Sequence, residues 1–370
     1  MIDKVKLIAM YLPQYHEIPE NNEFWGKGFT DWTTVRSAKQ YYKEIPQPKI
    51  PLNNNYYDLS KLESIKEQVE LAKKYGIDGF CFYHYWFSSK TNLLQKPAEL
   101  FLADKSMDIS FCFCWDNEPW KRTWDSQGGN AWAPVMDAKL QKKGKTTLVE
   151  FDYEFEEGWE NHFNYLLPFF KDDRYIKIDN KPVFLYYKYY EPKILQKMAN
   201  YWQGLAKKNG FEGVCFISKY LDNVNDIVCD YSYLYQPHFA GWERSNIFLR
   251  VIDRIKFKII PQRKPIKVNY EITWKRLIRQ CKTFKDKKYF YGGFVNYDDS
   301  PRRGARGRCI DGQDVKTFSK YFQKLIDLSK KFGKKYIFVT AWNEWGEGAY
   351  LEPDEIDKFS YLEAVSKLER

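Results

Sequence analysis

Two glutamates, Glu344 and Glu347, stand three positions apart within the segment TAWNEWGEG at residues 340–348, directly after the hydrophobic run YIFV. A strand delivers side chains to a fixed place, glycines let the chain approach a ligand closely, and indole rings offer flat faces for sugar rings. Two carboxylates in one pocket are the minimum needed to hydrolyse a glycosidic bond. The segment therefore predicts an active site for carbohydrate at a strand end. The alternative is a loop whose carboxylates only solvate the surface.

The elements that must position these glutamates follow a regular pattern. Three stretches show an apolar stripe at helical spacing and are followed by a glycine, residues 62–75, 191–208 and 318–328. Eight short apolar runs rich in aromatic residues are predicted to be strands, at residues 6–11, 79–86, 109–115, 182–187, 214–220, 231–236, 290–297 and 336–342. Strands alternating with helices predict an α/β fold, and eight strands predict a (β/α)8 TIM barrel. An open doubly wound sheet is the competing topology.

In such a barrel the chemistry gathers at the carboxyl ends of the strands. Hydrogen-bonding or aromatic side chains follow at least seven of the eight predicted strands, and the connection at residues 13–60 is long enough to cap a site. Glu344 and Glu347 are the predicted catalytic residues. The predicted substrate-binding residues are Tyr11, Gln14, Tyr15, Asp31, Trp32, His84, Tyr85, Trp86, Trp115, Asn117, Glu118, Tyr187, Tyr220, Gln236, His238, Asn296, Tyr297, Trp342, Asn343 and Trp345. Two roles are equally favoured for Asn343: binding a ring hydroxyl of the sugar and completing the turn at the strand end.

The composition is compatible with this chemistry. Aromatic residues make up 19% of the 370 residues, with 13 Trp and 29 Tyr, which suits a carbohydrate cleft, although most of the 27 Phe are expected in the core. Cys81, Cys112, Cys114 and Cys215 lie in strand-like runs and are predicted to be reduced core residues. The first residues are too polar for a secretory signal, and no apolar run of about 18 residues would span a membrane. A cytoplasmic protein is therefore expected.

The net charge of +10 is concentrated in one stretch. Residues 243–288 hold 15 Lys and Arg against 4 Asp and Glu. We predict a single barrel domain at residues 1–370 with a basic helical insertion at about 240–289, between strands 6 and 7. Because residues 247–257 mix apolar and cationic side chains, an anionic membrane surface is a candidate partner for about 244–288, which would place the protein peripherally at the inner membrane. A solvated helix packed on the barrel is the alternative, and nucleic acid is not expected as a partner.

No cofactor or metal is predicted. The four histidines, His16, His84, His162 and His238, do not have the spacing of metal ligands. No glycine-rich phosphate motif follows a strand, and no Asp-x-Asp pair is present for a metal and a diphosphate. The nearest feature, Asp298 followed by Asp299, is better explained by a turn or by contact with a sugar hydroxyl.

Five motifs carry a resemblance to a known family: MYLPQYH at residues 10–16, FTDW at 29–32, CFYHYW at 81–86, CWDNE at 114–118 and WNEWGEG at 342–348. Together they resemble the WbsX-like proteins, the glycosyltransferase WbsX family, which is found with bacterial O-antigen and capsule biosynthesis genes. That family is similar to glycoside hydrolase family 99, the endo-α-1,2-mannosidases. The resemblance covers nearly the whole chain and implies a (β/α)8 barrel that cleaves an α-mannoside with retention and without a metal. The substrate implied is an oligosaccharide or polysaccharide.

The resemblance also implies a role for each glutamate. Glu344 falls on the base that deprotonates the sugar's own 2-hydroxyl, and Glu347 on the acid that protonates the leaving oxygen and then activates water. Burial of Glu347 beside Trp345 and a second carboxylate is expected to keep it protonated near neutral pH. Three functions stay open: a retaining glycosidase, a glycosyltransferase or transglycosylase, and a carbohydrate-binding protein without catalysis. Retention of both glutamates disfavours the third.

Overall fold

The barrel consists of eight parallel strands that pair in chain order. The computed structural model describes residues 4–121, 147–188, 191–219, 229–243 and 263–370. The barrel strands are β1 Lys6–Tyr11, β2 Gly79–Ser88, β3 Ser110–Trp115, β4 Lys181–Tyr186, β5 Cys215–Lys219, β6 Tyr231–Tyr233, β7 Tyr289–Phe294 and β8 Tyr336–Thr340. Strand β1 pairs with β2 on one side and with β8 on the other, so the sheet closes without an edge. The predicted (β/α)8 TIM barrel is therefore confirmed, and the open sheet is wrong.

Helices cover the outside of the barrel. Those described after barrel strands are α1 Leu62–Lys74, α2 Lys96–Ala103, α3 Glu156–Lys171, α4 Pro192–Lys208, α5 Tyr270–Thr283, α6 Val315–Lys331 and α7 Ser360–Ser366. The three predicted helices are confirmed as α1, α4 and α6. Each ends shortly before a glycine with positive φ, at Gly76, Gly210 and Gly333, where a side chain would be strained.

Shorter elements lie in the loops. The loop helices and helical turns are Pro19–Trp25, Asp31–Arg36, Leu52–Asn54, Phe239–Glu243, Ser300–Arg303, Gly304–Arg306 and Trp345–Glu347. The minor strands are Thr91–Leu93, Trp120–Lys121, Thr147–Val149, Lys177–Ile178, Ile266–Asn269, Arg308–Asp311, Asn343–Glu344 and Ala349–Tyr350. Strands β6 and β7 end three residues earlier than predicted because the chain there turns into the loops at the barrel mouth; after β6, for example, the Phe239 amide donates to the Tyr235 carbonyl at 3.0 Å.

Two buried layers make up the core, one inside the barrel and one between the barrel and its helices. Successive residues of a strand face opposite sides. On β2, Phe82 points outward and packs against Phe101 of α2 at 5.6 Å. Its neighbour Tyr83 points inward, and its hydroxyl lies 3.3 Å from that of Tyr235 beyond β6, across the barrel. All seven cysteines are buried, which confirms the predicted core positions.

The basic stretch is described only in part. Within it, α5 packs on the barrel through the buried Trp274, which stacks on Phe294 at 4.7 Å and contacts Phe322 of α6. Residues 247–257, the predicted membrane-binding segment, and Tyr220 lie outside the described residues. The division into one barrel domain with a basic helical insertion at about 240–289 stays a prediction. None of the helices in the described ranges is long and apolar enough to cross a membrane.

Candidate active site

The segment at residues 340–348 lies where it was predicted, at the carboxyl end of β8. It is tied to the end of β1 by the backbone and by Asn343. The Trp342 amide donates to the Met10 carbonyl at 2.8 Å. The side chain of Asn343 accepts from the Leu12 amide at 2.7 Å and donates to the Leu12 carbonyl at 3.0 Å. The side-chain amide of Asn343 therefore joins two strand ends. This favours a structural role at the strand end over binding of a sugar hydroxyl.

One guanidinium joins three carboxylates at this end of the barrel. Arg302 donates to Glu347 at 2.9 Å, to Glu344 at 3.2 Å and to Asp31 at 3.0 Å. The side chains of Arg302, Glu344 and Asp31 are at most 6% exposed, whereas that of Glu347 is 17% exposed. Both predicted catalytic residues thus lie in one site, together with Asp31 from the long connection after β1.

Sequence reasoning missed Arg302. It lies on the short helix Ser300–Arg303 after β7, whose second residue is Pro301. Proline suits the first turn of a helix because its φ is already near the helical value. The Arg302 amide donates to the Asp299 carbonyl at 3.1 Å. A Pro-Arg-Arg-Gly run at residues 301–304, in the loop that follows the predicted strand at 290–297, was the available signal.

The two aspartates that precede this helix hold loops together. Asp299 accepts from the Arg308 amide at 2.6 Å and pairs with Arg303 at 3.1 Å. Asp298 accepts from Gln47 at 2.9 Å and from the Ser300 amide at 3.0 Å. These contacts support the turn that was expected at this pair, not a contact with a sugar hydroxyl.

The Glu344 carboxyl holds its proton unusually tightly. Burial raises the pKa of Glu344 to about 8; the Arg302 guanidinium opposes this shift, while the charges of Glu347 and Asp31 add to it. The sequence-based expectation was that burial would favour the protonated form of Glu347. Glu344 is the more deeply buried of the two side chains, and the expectation for Glu347 stays a prediction.

Tyrosine hydroxyls line the mouth of the barrel. Besides the Tyr83 and Tyr235 pair, Tyr187 packs edge-on against both rings, with centroids 5.9 Å away. Burial raises the pKa of Tyr83 and Tyr235 well above the usual value, and the charge of Glu344 adds to both shifts. These hydroxyls therefore remain protonated and can donate to a ligand. Tyr83 and Tyr235 were not predicted, although Tyr83 shares a strand face with the predicted Tyr85.

Six predicted substrate-binding residues surround the glutamates. The hydroxyl of Tyr15 donates to the Asn343 carbonyl at 2.5 Å and lies 3.3 Å from Asp31. The charge of Glu344 acts on the hydroxyl group of Tyr85. The charge of Glu347 acts on Tyr187, His238 and Tyr297. The members of this group are Tyr15, Asp31, Tyr85, Tyr187, His238 and Tyr297.

Other predicted residues pack against or bond to the elements around the site. Trp345 is 1% exposed; its ring stacks on Tyr350 at 3.8 Å and its indole nitrogen donates to Glu352 at 2.6 Å. The tryptophans of the motif are therefore not open platforms for sugar rings. The following side chains are likewise buried and are bonded to or packed on neighbouring loops and strands: Gln14, Trp32, Asn117, Gln236 and Trp342. Glu118 lies 3.7 Å from Lys188, and Asn296 follows β7.

Four predicted residues lie outside the barrel wall. The Nε2 atoms of His84 and His162 are 2.8 Å apart, and Trp86 stacks on His162 at 4.6 Å. The Trp115 indole donates to the Trp86 carbonyl at 2.8 Å, and the Tyr11 hydroxyl donates to Gln68 of α1 at 2.5 Å. Alternate residues of a strand face opposite sides of the sheet. The four predicted residues that point toward the helices are therefore Tyr11, His84, Trp86 and Trp115. The structure does not bring them to the site.

Three carboxylates, one guanidinium and several protonated tyrosines can together transfer protons and donate hydrogen bonds to hydroxyl groups. In the described ranges, no group of three or more His, Cys, Asp and Glu side chains is placed to hold a metal ion.

Known structures share this fold. A GH99 endo-α-mannosidase from Bacteroides thetaiotaomicron aligns with 98% of this chain and 96% of its own, with a TM-score of 0.56 and 15% identity. A protein described as glycoside hydrolase-like aligns over 100% of this chain and 96% of its own, with a TM-score of 0.56 and 11% identity. At these identities the similarity establishes the fold alone.

Sequence comparisons identify the family. Two curated relatives, both described as uncharacterized protein WxcX of Xanthomonas campestris pv. campestris, are 28% identical over 368 residues. The match covers 97% of this chain and 49% of each relative, so the chain spans about half the length of these proteins. A family model described as glycosyltransferase WbsX matches residues 7–365. The chain therefore belongs to the glycosyltransferase WbsX family, as its motifs predicted.

Proposed function

We propose that this protein is a retaining, metal-independent glycosidase that acts on a bacterial surface polysaccharide, an O-antigen or capsule, or on its precursor. The observation that carries the proposal is the meeting of Glu344 and Glu347 on one guanidinium at the carboxyl end of β8. The tyrosine hydroxyls beside them supply the donors that a sugar needs. The α-mannoside-like linkage comes from the resemblance to family 99 and from the fold shared with the Bacteroides enzyme.

The proposed first step uses the substrate's own 2-hydroxyl. The Glu344 carboxylate takes the proton of that hydroxyl, whose oxygen attacks C1. The bond from C1 to the leaving oxygen breaks, and Glu347 gives its proton to that oxygen. A 1,2-anhydro sugar and a free alcohol result.

The second step restores both carboxyl groups. The Glu347 carboxylate takes a proton from water, the water oxygen attacks C1, and the bond from C1 to O2 breaks. O2 then takes the proton held by Glu344. Two inversions at C1 leave the anomeric configuration retained. Because Glu344 must be ionised at the start and its pKa is raised to about 8 in the free protein, we expect kcat/KM to increase as the pH rises toward 8.

A glycosyltransferase or transglycosylase is the second candidate, because the matching family model is described as a glycosyltransferase. It would share the first step, and a sugar hydroxyl would replace water in the second. A carbohydrate-binding protein without catalysis is the third candidate. We further propose a cytoplasmic location, with peripheral contact to anionic lipid through about 244–288; flotation with anionic vesicles at low and high salt tests this contact.

The test measures new reducing ends released from the host's surface polysaccharide and lipid-linked oligosaccharide. We expect release by the wild type and a loss of at least about 10²-fold in Glu344→Gln and Glu347→Gln. Glu355→Gln, on the same loop but bonded to the Asn53 amide, is the matched control and should retain activity.

The other outcomes separate the candidates. Release that survives either catalytic substitution would show that the catalytic assignment is wrong. Larger products formed with an added sugar acceptor, without new reducing ends, would identify transfer. Sugar binding with neither release nor transfer would identify a binding protein.

A further inference from the structure

A cavity lies next to the loop after β8, outside the cluster of Arg302 and its three carboxylates. It has a volume of about 620 Å³ and is bounded by α1, by the loop at residues 51–57 and by the segment at residues 345–359. Ligand sites in proteins usually measure about 300–1,000 Å³. Trp345 lines this cavity, whereas Glu344 and Glu347 bond to Arg302. One loop therefore contributes to the catalytic cluster and to a separate cavity.

The polar groups at the bottom of this cavity are already paired. The Glu352 carboxyl accepts hydrogen bonds from Tyr57 at 2.7 Å, from Gln68 at 2.8 Å and from the Trp345 indole at 2.6 Å. Glu352 and Gln68 are at most 7% exposed. These bonds fix the bottom of the cavity, so it supports a ligand through its shape and not through free polar groups.

The open side of the cavity carries polar side chains of a different kind. Asn53, Asn54 and Asn55 are exposed, and Ser64 and Glu67 lie on the face of α1 that borders the cavity. Within the described part of the chain, none of these five side chains makes a hydrogen bond or an ion pair with another residue. Side-chain amides both donate and accept hydrogen bonds, as sugar hydroxyl groups do. The open side is therefore able to bind hydroxyl groups.

The loop that carries the asparagines is held in place by the chain after β8. The Leu52 amide donates to the Pro353 carbonyl at 3.0 Å, and the Asn53 backbone amide donates to Glu355 at 2.6 Å. Asn53 and Asn54 have φ angles of 57° and 55°, a left-handed conformation that asparagine adopts more readily than most residues. The side-chain amides are thus positioned before a ligand arrives, which lowers the entropic cost of binding.

The charges and rings of the cavity favour a neutral sugar over an anion. Among the described residues that line it, the acidic ones are Glu67 and Glu352, and none is a lysine or an arginine. A carboxylate or phosphate on a ligand would be repelled and would have no cation to pair with. The half-buried rings of Tyr57 and Phe359 supply apolar surface for the C–H groups of a sugar ring.

We propose that this cavity is a second carbohydrate site, which binds a neutral sugar unit of a glycan through the amides of residues 53–55 and the bordering face of α1. The inference goes beyond the proposed function, because the cavity contains neither Glu344 nor Glu347 and binding there requires no catalysis. For a polysaccharide that also reaches the barrel mouth, such a site raises the local concentration of substrate and lowers KM. Turnover of a fragment too short to reach both sites does not depend on it.

The experiment measures dissociation constants by affinity electrophoresis of the 370-residue chain in gels that contain a polysaccharide. The probes are the host's surface polysaccharide, an α-mannan, a dextran and a galactan. All proteins carry Glu347→Gln, so that the probe is not cleaved during the run. We expect at least one probe to retard this reference protein. Ser64→Trp in the same background should raise the dissociation constant at least about fivefold, because the indole occupies the cavity and removes one of two binding sites.

Two further variants make the result specific. Asn54→Gly removes an amide but keeps the backbone, because glycine adopts positive φ without strain. It should raise the dissociation constant at least about threefold through the loss of hydrogen bonds. Glu70→Trp, the matched control, places the same ring at an exposed position of α1 that does not line the cavity. This control should bind like the reference protein.

Every outcome of the binding assay supports or overturns the inference. An unchanged dissociation constant in Ser64→Trp, or no retardation by any of the four probes, would overturn it. If Ser64→Trp does not fold, an unchanged constant in Asn54→Gly overturns it instead.

Reducing-end release separates this inference from the proposed function. With Glu347 restored, Ser64→Trp should cleave short fragments as the wild type does and should show a raised KM for the intact polysaccharide. Retardation that Ser64→Trp weakens, without any release by the wild type, would contradict the glycosidase and keep the second site. Release together with equal retardation of all variants would keep the glycosidase and contradict the second site.

Discussion

Arg302 sets the charge balance of the candidate site. Without its guanidinium, Asp31, Glu344 and Glu347 would be three neighbouring carboxylates in a mostly buried space. Breaking a buried ion pair by removing one partner usually costs about 3–5 kcal/mol because a charge is left uncompensated. The same guanidinium lowers the pKa of Glu344 against the effect of burial, so it keeps part of the proposed base ionised.

The first residue-scale prediction concerns Arg302→Met and the pH dependence of catalysis. Glu344 must lose its proton to act as a base, and the variant removes the charge that favours the ionised form. The pKa of Glu344 should therefore rise further, and the ascending limb of kcat/KM against pH should move to higher pH. The measurement is reducing-end release between about pH 6 and 10. Arg302→Lys, which retains a cation, should show a smaller shift.

The prediction can be tested even if the Arg302→Met variant does not fold. If Arg302→Met does not fold, the double variant Asp31→Asn, Arg302→Met removes one carboxylate together with the cation. The ascending limb of kcat/KM against pH should still move to higher pH in this double variant, because Arg302 acts on Glu344 more strongly than Asp31 does. An unchanged limb in the folded variant would show that Glu344 is not the group whose ionisation controls the rate.

At the scale of the element, the loop after β8 is held by its backbone. The Gly346 amide donates to Asp31 at 3.2 Å, and the Trp345 amide donates to the Tyr15 hydroxyl at 3.2 Å. A Cβ atom added at Gly346 would lie 2.5 Å from Nε of Arg302 and 2.7 Å from Asp31. These side chains are buried and paired, so they cannot move aside without separating the charges.

Gly346→Ala should therefore displace the Arg302 cluster and reduce kcat by at least about tenfold, since small misplacements of catalytic groups have large effects. The melting temperature should also decrease. The matched control is Gly204→Ala in α4, where an added Cβ meets nothing within 4 Å. That variant should retain activity and gain up to about 1 kcal/mol of stability, because alanine favours a helix over glycine. Full activity in Gly346→Ala would contradict the close approach described for this loop.

At the scale of the whole molecule, the barrel is joined to its helical layer by a pair of neutral histidines. His84 of β2 and His162 of α3 meet at 2.8 Å among Trp86, Tyr165 and Trp202. Burial lowers the pKa of His84 to about 3 and that of His162 well below its usual value. The unfolded chain, whose histidines have a pKa near 6.5, binds protons that the folded pair cannot accept.

The stability of the wild type should therefore fall as the pH falls below about 6.5. Each histidine changes the free energy of unfolding by up to about 1.4 kcal/mol per pH unit. This slope persists down to the pKa that the histidine has in the folded protein. The double variant His84→Leu, His162→Phe removes both groups and should show a shallower decline. Thermal unfolding at steps between pH 7.5 and 4.5 measures the two slopes. Equal slopes would contradict the assignment of a neutral buried pair.

Much of this molecule was predictable from local patterns. The alternation of aromatic strands and amphipathic helices predicted the barrel, and the glycines after α1, α4 and α6 marked their ends. The rule that catalytic groups gather at the carboxyl ends of barrel strands predicted where Glu344 and Glu347 would lie. These features depend on neighbouring residues and on a repeated backbone geometry, which the sequence records directly.

Which side chains meet was decided only by the tertiary structure. Asp31 and Arg302 are 271 positions apart, and Leu12 and Asn343 are 331 apart, so no local pattern relates them. The alternation of strand faces turned His84 and Trp86 outward and Tyr83 inward, although all three lie in one motif. The pKa of Glu344 is raised because closure of the barrel buries this carboxyl beside Asp31 and Glu347. The sequence by itself determined the barrel, the family and the strand end that carries the glutamates. Closure of the barrel determined the raised pKa of Glu344 and the partners of both glutamates, because burial and long-range contacts exist only in the folded chain.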